Sequence, residues 1–505
     1  MTATATTSAP TIGERLHDAV LAPVRAFRLR YLPLLMVYFA YGALGLITIA
    51  ESFWVKSALT LTPSELAVLS VWLTLPWTIK MVFGELVDAV PVFGSQRRAY
   101  VLIGGALVAL GLLALAGAAG GWLTFAPPQD LYRLGSLLSV VGVVLQDVAA
   151  DAMSTEVVER VNPDGTPRAV EDINRDLGMV QVLGRLALAS GMVAVAGLAG
   201  WLASRFSYET VFLAGLVIPL VSVSGALLVK IDTATSTRAV DWRILGGGLA
   251  FGALVATLAV TGVPFGQEIV FVISMGVVCA MLWRVVGDVP LETRKQIFYA
   301  ALIIFVFRAT PLVGQGYTWF TIDVLGFDEA FQGTLNQIGA VLALLGTWIL
   351  SDTITRRPVA QVLLWLTIAG AVLTLPSLGL TLGLAQWTEE HLGFGARTIA
   401  IVDTAASSPF LQLSMIPMLT LCAIYAPPAR RATWFALMGS LMNLALVAAA
   451  LQTKYLNTML VVDRGHYENL PALLGLVMAI GFVVPVAAIL LFGPRIAPES
   501  AQQTR

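Results

Sequence analysis

Asp147 and Asp151 stand four residues apart in a stretch, 136–154, that is otherwise free of charge. On a helix that spacing puts both carboxylates on one face. Two acids so close in a low dielectric resist joint ionisation unless a cation compensates. Lys80 and Arg185, each in another apolar stretch, are the candidate cations. Three roles are open to this set: a structural ion-pair cluster, a proton-coupling or gating network, and direct contact with a solute. Arg308 is isolated in its own stretch, three residues before Pro311, with no acid within two turns. Its five-donor fork suits a carboxylate, so it is expected to line a cavity and meet an anion. The alternatives are a pairing with Asp403 or with a helix carbonyl. The histidines, His17, His391 and His466, fall outside the apolar stretches, so any proton handling rests on carboxylates. Tyr38, Tyr41, Trp72, Trp77 and Tyr317 could stack on a planar solute or simply pack. Trp54 and Trp319 are expected in an outer interfacial belt.

The elements that must hold these residues follow from composition. Of 505 residues, 57% are hydrophobic and 12% are charged, against about 25% charged in soluble domains. So much apolar surface calls for lipid, and in hydrocarbon the backbone must satisfy itself, which forces helices. Each crossing takes about 20 residues. The apolar runs predict fourteen: 31–53, 64–84, 99–121, 131–155, 176–202, 208–230, 242–263, 267–287, 296–321, 330–351, 359–384, 398–425, 432–456 and 470–492. Twelve is the alternative, with 242–287 as one excursion. With the N-terminus inside, twenty-one Lys and Arg fall on inner segments and six on outer ones: Lys56, Arg133, Arg205, Arg397, Lys454 and Arg464. That bias places both termini in the cytoplasm of a cell-membrane protein, the inner membrane in a Gram-negative cell. The expected organisation is a tail (1–30), a six-helix bundle (31–230), a linker with two extra helices (231–295), a second six-helix bundle (296–492) and a tail (493–505). This is an all-α membrane protein of the major facilitator type, in which related bundles flank a site near the midplane.

Other classes are excluded on the same residues. A net charge of −1 gives no footprint for nucleic acid. Cys279 and Cys422 lie in separate apolar segments and suggest neither a disulfide nor a metal site. The first 30 residues lack a signal-peptide apolar region. No Gly-x4-Gly-Lys-Ser/Thr loop is present, no cofactor is implied, and no acid or histidine cluster at a membrane face suggests an enzyme. What remains is a secondary carrier of a small organic solute, or a transport-inactive assembly or sensor protein. A faint repeat adds a candidate gate. Gly84, Asp88 and Arg97-Arg98 follow the second span, and Gly346, Asp352 and Arg356-Arg357 follow the second span of the last bundle. An acid beside a basic pair can lock one conformer through salt bridges, and Gly allows close helix approach.

Ordered motifs carry a resemblance. The segment Leu75-Pro76-Trp77-Thr78-Ile79-Lys80-Met81-Val82-Phe83-Gly84-Glu85-Leu86-Val87-Asp88, then Val90-Pro91-Val92-Phe93-Gly94 and Arg97-Arg98-Ala99-Tyr100, resembles the folate–biopterin transporter family. So do Asp147-Val148-Ala149-Ala150-Asp151-Ala152 with Glu156, Arg308-Ala309-Thr310-Pro311, and Pro427-Pro428 with Thr433, Phe435-Ala436-Leu437 and Asn443. Met81 departs where a Pro commonly follows the Lys, and Glu85 adds a charge. The resemblance implies a transporter of a folate, a pterin or, in some members, S-adenosylmethionine. With no nucleotide-binding loop, an ion gradient or the solute's own gradient must drive it, and a proton-coupled symporter acting as a monomer is expected. The resemblance points to Lys80, Asp147, Asp151, Arg185 and Arg308 as the residues to test first.

Overall fold

The computed structural model describes residues 25–92, 94–95, 97–228, 242–261, 263–287, 289–355, 357–410, 413–425 and 431–496. Their regular structure is helical, apart from isolated bridges in turns such as Val161↔Pro167. The helices are α1 Leu32–Ala43, α2 Thr48–Ala58, α3 Pro63–Thr78, α4 Lys80–Ala89, α5 Arg98–Gly120, α6 Pro128–Glu156, α7 Val170–Arg205, α8 Tyr208–Ala214, α9 Val217–Leu228, α10 Trp242–Thr261, α11 Gly266–Val285, α12 Leu291–Arg308, α13 Gln315–Asp323, α14 Glu329–Thr355, α15 Val359–Leu373, α16 Leu375–Thr381, α17 Leu384–Leu392, α18 Ala396–Ser407, α19 Met415–Ile424, α20 Arg431–Met459 and α21 Leu470–Phe492. Among the described residues, nine helices are long and apolar enough to cross a membrane.

Several predicted spans are interrupted, and the interruptions follow from sequence. The first passes through a 3-10 turn at Leu44–Leu46 between α1 and α2. The second contains Pro76 and breaks between α3 and α4, at Ile79, next to Lys80. The ninth breaks after Arg308, where Pro311 lacks an N–H and Gly314 takes a φ of 81°, a left-handed conformation that a Cβ disfavours.

The two halves of the chain meet along two seams. In one, α7 lies against α14; in the other, α3 lies against α20. The first seam depends on Gly200 and Gly333. A Cβ on Gly200 would stand 2.5 Å from the Gly333 Cα, and one on Gly333 would stand 2.7 Å from the Gly200 Cα. Only hydrogen fits there, which lets two backbones touch, as membrane helix packing favours. The two central helices flank the second seam. Val270 of α11 is buried with Val71 and Leu75 of α3 and Val447 and Leu451 of α20, and α10 leans on α4.

The end of the bundle bearing residues 25 and 496 is called the terminal end below, and the opposite end the distal end. Trp54 and Trp319 do not form a belt. Both are buried in one cluster near the distal end, because Trp54 packs edge-on against Tyr132 and Phe212 and an arginine covers Trp319.

Candidate functional site

Lys80 opens α4 where the second span breaks, and α6 brings both acids to it. Its Nζ lies 2.5 Å from Asp147 Oδ2 and 2.6 Å from Asp151 Oδ2. Tyr38 of α1 donates to the other Asp151 oxygen at 2.6 Å. Asp147 is sealed, with a side chain 12% exposed, while Asp151 is 49% exposed. The cation supports the two acids unequally: one is locked inside and one stays reachable. A small cavity lined by Tyr38, Tyr41, Gln146, Asp147 and Pro219 opens beside them. Tyr41 stacks on Trp77 with centroids 5.7 Å apart, and Gln146 is anchored to the Val101 carbonyl and Ser222. Arg185 makes no ion pair among the described residues; its charge acts on Asp147 at longer range. Of the two cations expected to compensate the acids, only Lys80 does so by contact.

Arg308 closes α12 in the other half. Its Nε donates to the Met442 carbonyl at 3.3 Å and its Nη1 meets Met415 Sδ at 2.9 Å. No acid lies within 4 Å of it among the described residues, so the expected alternative pairing with Asp403 does not form. The helix break that follows would orphan backbone groups in the membrane. Three polar side chains of α20 prevent that. Gln452 donates to the Ala309 carbonyl at 2.5 Å, Thr453 Oγ1 accepts from the Leu312 N–H at 2.9 Å, and Asn457 donates to the Val313 carbonyl at 3.1 Å. The break is therefore a built feature that presents the Arg308 guanidinium at a helix end. The break in the second span is used similarly. The Trp77 carbonyl accepts from Asn443 of α20 at 3.0 Å, across the seam.

The gating-loop residues separate. Arg97 is buried, chelates Glu156 through Nε at 3.1 Å and Nη2 at 2.6 Å, and donates to the Val87 carbonyl. Arg98 is exposed. A Cβ on Gly84 would meet nothing within 4 Å, so close helix approach does not occur there; at Gly346 it would stand 2.5 Å from the Pro409 Cα. The side chains of Asp88, Asp352 and Arg356 lie outside the described residues, and Glu156 is the acid seen to receive Arg97.

A second constellation, at the distal end, escaped the sequence reading. Arg464, between α20 and α21, donates to four carbonyls of the N-terminal half: Val55, Lys56, Leu59 and Leu61, at 2.7–3.1 Å. These carbonyls lie in the last turn of α2 and in the segment that follows it, where helix carbonyls run out of intrahelical donors. Lys56 pairs with Asp323 at the end of α13, and Tyr467 donates to the same acid. Tyr208 meets Glu329, Gln337 accepts from the Gly197 N–H, and Ser64 meets Thr458. Beside this closure Asp328 caps α14. The Phe331 N–H and Arg397 hold its carboxyl below the usual carboxylate range. A signal for this constellation was present. Five of the six basic residues that break the charge bias, Lys56, Arg133, Arg397, Lys454 and Arg464, pair with acids. A distal cation needs a structural reason, and here the reason is a partner.

Residues 42–504 match the model of the BT1 family. A folate-biopterin transporter of Synechocystis sp. is 28% identical over 90% of this chain and 80% of its own length. Folate transporter 2 of Plasmodium falciparum is 19% identical over 85% of this chain and 80% of its own. Among solved structures, a POT family transporter in complex with 5-aminolevulinic acid superposes with a TM-score of 0.65, at 14% identity, over 93% of this chain and 96% of that one. A D-xylose-proton symporter superposes with 0.58, at 14% identity, over 94% and 98%. The bundle thus shares the fold of these transporters. Because the ordered motifs around Lys80, Asp147 and Arg308 coincide with a family match running nearly end to end, the chain belongs to the BT1 family, that of the folate–biopterin transporters, and is a multi-pass membrane transporter of a small solute rather than an enzyme.

Proposed function

We propose that this chain is a proton-coupled secondary carrier of a folate, pterin or related anion, working as a monomer by alternating access. The observation that carries the reading is the division of charge between the halves. Lys80 is held between two acids of the N-terminal half, while Arg308 stands without an acid at a helix break of the C-terminal half. A guanidinium at the end of a broken span suits a carboxylate, and broken helices mark solute sites near the midplane of such carriers. The names of the relatives support the solute class, and the stacked Tyr41–Trp77 pair suits a flat ring. The two bundles are 31–230 and 296–492, with the two central helices making fourteen crossings. Both termini are cytoplasmic in a cell membrane, so the distal end faces outward. The state described is then closed to the outside by Arg464, Lys56 and Asp323. Opening it would require those bonds to part while the terminal end closes, with Gly84, Asp88, Arg97 and Arg98 as the candidate inner gate.

A second reading has one observation in its favour. Lys80, Asp147 and Asp151 sum to a net −1, which suits a solute carrying a positive charge, such as S-adenosylmethionine. The test is uptake into proteoliposomes of labelled folate, a labelled pterin and labelled S-adenosylmethionine, with and without an inside-alkaline gradient. Gradient-dependent uptake of the folate or pterin is expected. Uptake of the cation alone would replace the first reading with the second, and uptake blind to the gradient would remove proton coupling.

A further inference from the structure

The short helix α13 joins two sites. Its last residue, Asp323, takes Lys56 and Tyr467 in the distal closure, and its Trp319 lies under Arg464. Six residues before Asp323 in the same helix, Tyr317 lies near Ser377 of α16 and within electrostatic reach of Asp403 on α18. Asp403 sits inside the apolar span Ala396–Cys422. Its Oδ2 accepts from Ser377 Oγ at 3.1 Å, and its Oδ1 is buried with no hydrogen-bond partner. No Lys, Arg or His stands within 4 Å of it among the described residues. The elements packed against α18 are α14, α15, α16 and α17. Their charged groups at the distal end are engaged or remote: Glu329 takes Tyr208, and Glu389, Glu390 and His391 lie at the exposed end of α17. Among the described residues, Tyr317 is the titratable group on which the Asp403 charge acts.

This is the reverse of the Lys80 cluster. There a cation compensates two acids. Here one acid has neither a cation nor a full set of hydrogen bonds, and a charge in such a place is expensive. Protonation removes that charge, and no cation among the described residues does so. We propose that Asp403 is a proton-binding site of the C-terminal half and that it exchanges its proton with the distal side only when the Arg464–Lys56–Asp323 closure parts. Moving α13 to break that closure moves Tyr317 off Ser377 and Asp403 and admits water. The proton passes between water and the Asp403 carboxylate, and no other bond changes. The inference rests on the proton-coupled reading and names the group that carries the proton.

The test uses the full chain in proteoliposomes with labelled folate as the probe. Wild type is expected to accumulate it under an inside-alkaline gradient and to exchange it in counterflow without one. Asp403→Asn should keep counterflow and lose gradient-driven accumulation, and Asp403→Glu should keep both. A coupled wild type with an equally coupled Asp403→Asn overturns the assignment while leaving proton coupling intact. A wild type indifferent to the gradient overturns the coupling, and this inference with it. An infrared titration of purified protein reads the site without any solute. A protonated-carboxyl stretch should vanish in Asp403→Asn and shift in Ser377→Ala, which keeps the carboxyl and serves if Asp403→Asn fails to fold. A band unmoved by either variant overturns the assignment.

Discussion

The Arg464 guanidinium lies 4.1 Å above the centre of the Trp319 ring, and its N–H groups reach across to the Leu59 and Leu61 carbonyls that follow α2. The ring belongs to one half of the molecule and the carbonyls to the other. A planar cation stacked on an aromatic face keeps its edge donors free, so one side chain can fasten the two halves of the chain. Arg464→Lys keeps the charge and loses the fork. Either Arg464→Lys or Arg464→Ala should raise distal-side labelling of a cysteine placed beneath the closure by at least about tenfold, a change of about 1.4 kcal/mol. Labelling equal to the parent's would remove Arg464 from the closure.

Lys56 and Asp323 stand 267 residues apart in sequence and form the ion pair beside it. Single neutralisation of either should open the distal end, and the charge swap Lys56→Asp with Asp323→Lys should restore part of the loss. A double-mutant cycle on the same labelling rate checks this, with a coupling of about 0.5–3 kcal/mol expected between contacting residues. Additive singles would show that the pair does no more than decorate the surface.

At the Lys80 cluster, Lys80→Met strips the shared cation from two acids. Breaking a fully buried pair costs about 3–5 kcal/mol. Because Asp151 is 49% exposed, the thermal cost here should be smaller, about 1–3 kcal/mol. Adding Asp147→Asn to Lys80→Met should recover stability, since Asp147 is the sealed partner. Melting temperatures of the purified variants decide it, and a double variant less stable than Lys80→Met would contradict the arrangement.

Arg308→Ala removes a guanidinium held by a carbonyl and a thioether rather than by an acid. Folding should change little. Affinity for a carboxylate-bearing solute should fall by about ten- to a hundredfold, the worth of a hydrogen bond to a charged group of about 1.5–3 kcal/mol. Calorimetric binding to wild type and variant with folate is the measurement. Equal affinity would return Arg308 to a structural part in the break after α12.

Gly333→Leu puts a side chain where the Gly200 backbone sits 2.7 Å from the ideal Cβ. Overpacking of this sort costs about 1–3 kcal/mol. The variant should loosen the α7–α14 seam, seen as slower disulfide cross-linking between cysteines placed on the two helices. The nearby Gly326→Ala, which would meet nothing within 4 Å but sits at a φ of 65°, should leave that rate unchanged.

How much of this was legible in the chain itself divides along a physical line. Hydropathy and charge alternation are local sums over about 20 residues, so the apolar segments, the helical class and the basic bias could be read directly. The Asp147–Asp151 spacing is local too, and it correctly put both acids on one face. Contacts between segments are not local. Nothing in a single sequence says that Lys80 rather than Arg185 answers the acids, that Trp319 is buried under Arg464 instead of lying in a belt, or that Gln452, Thr453 and Asn457 close the break behind Arg308. Those choices depend on which helix faces the packing turns inward, and only the assembled bundle fixes that. The sequence determined which residues are too polar to be left in lipid without a reason; the tertiary structure decided what the reason was.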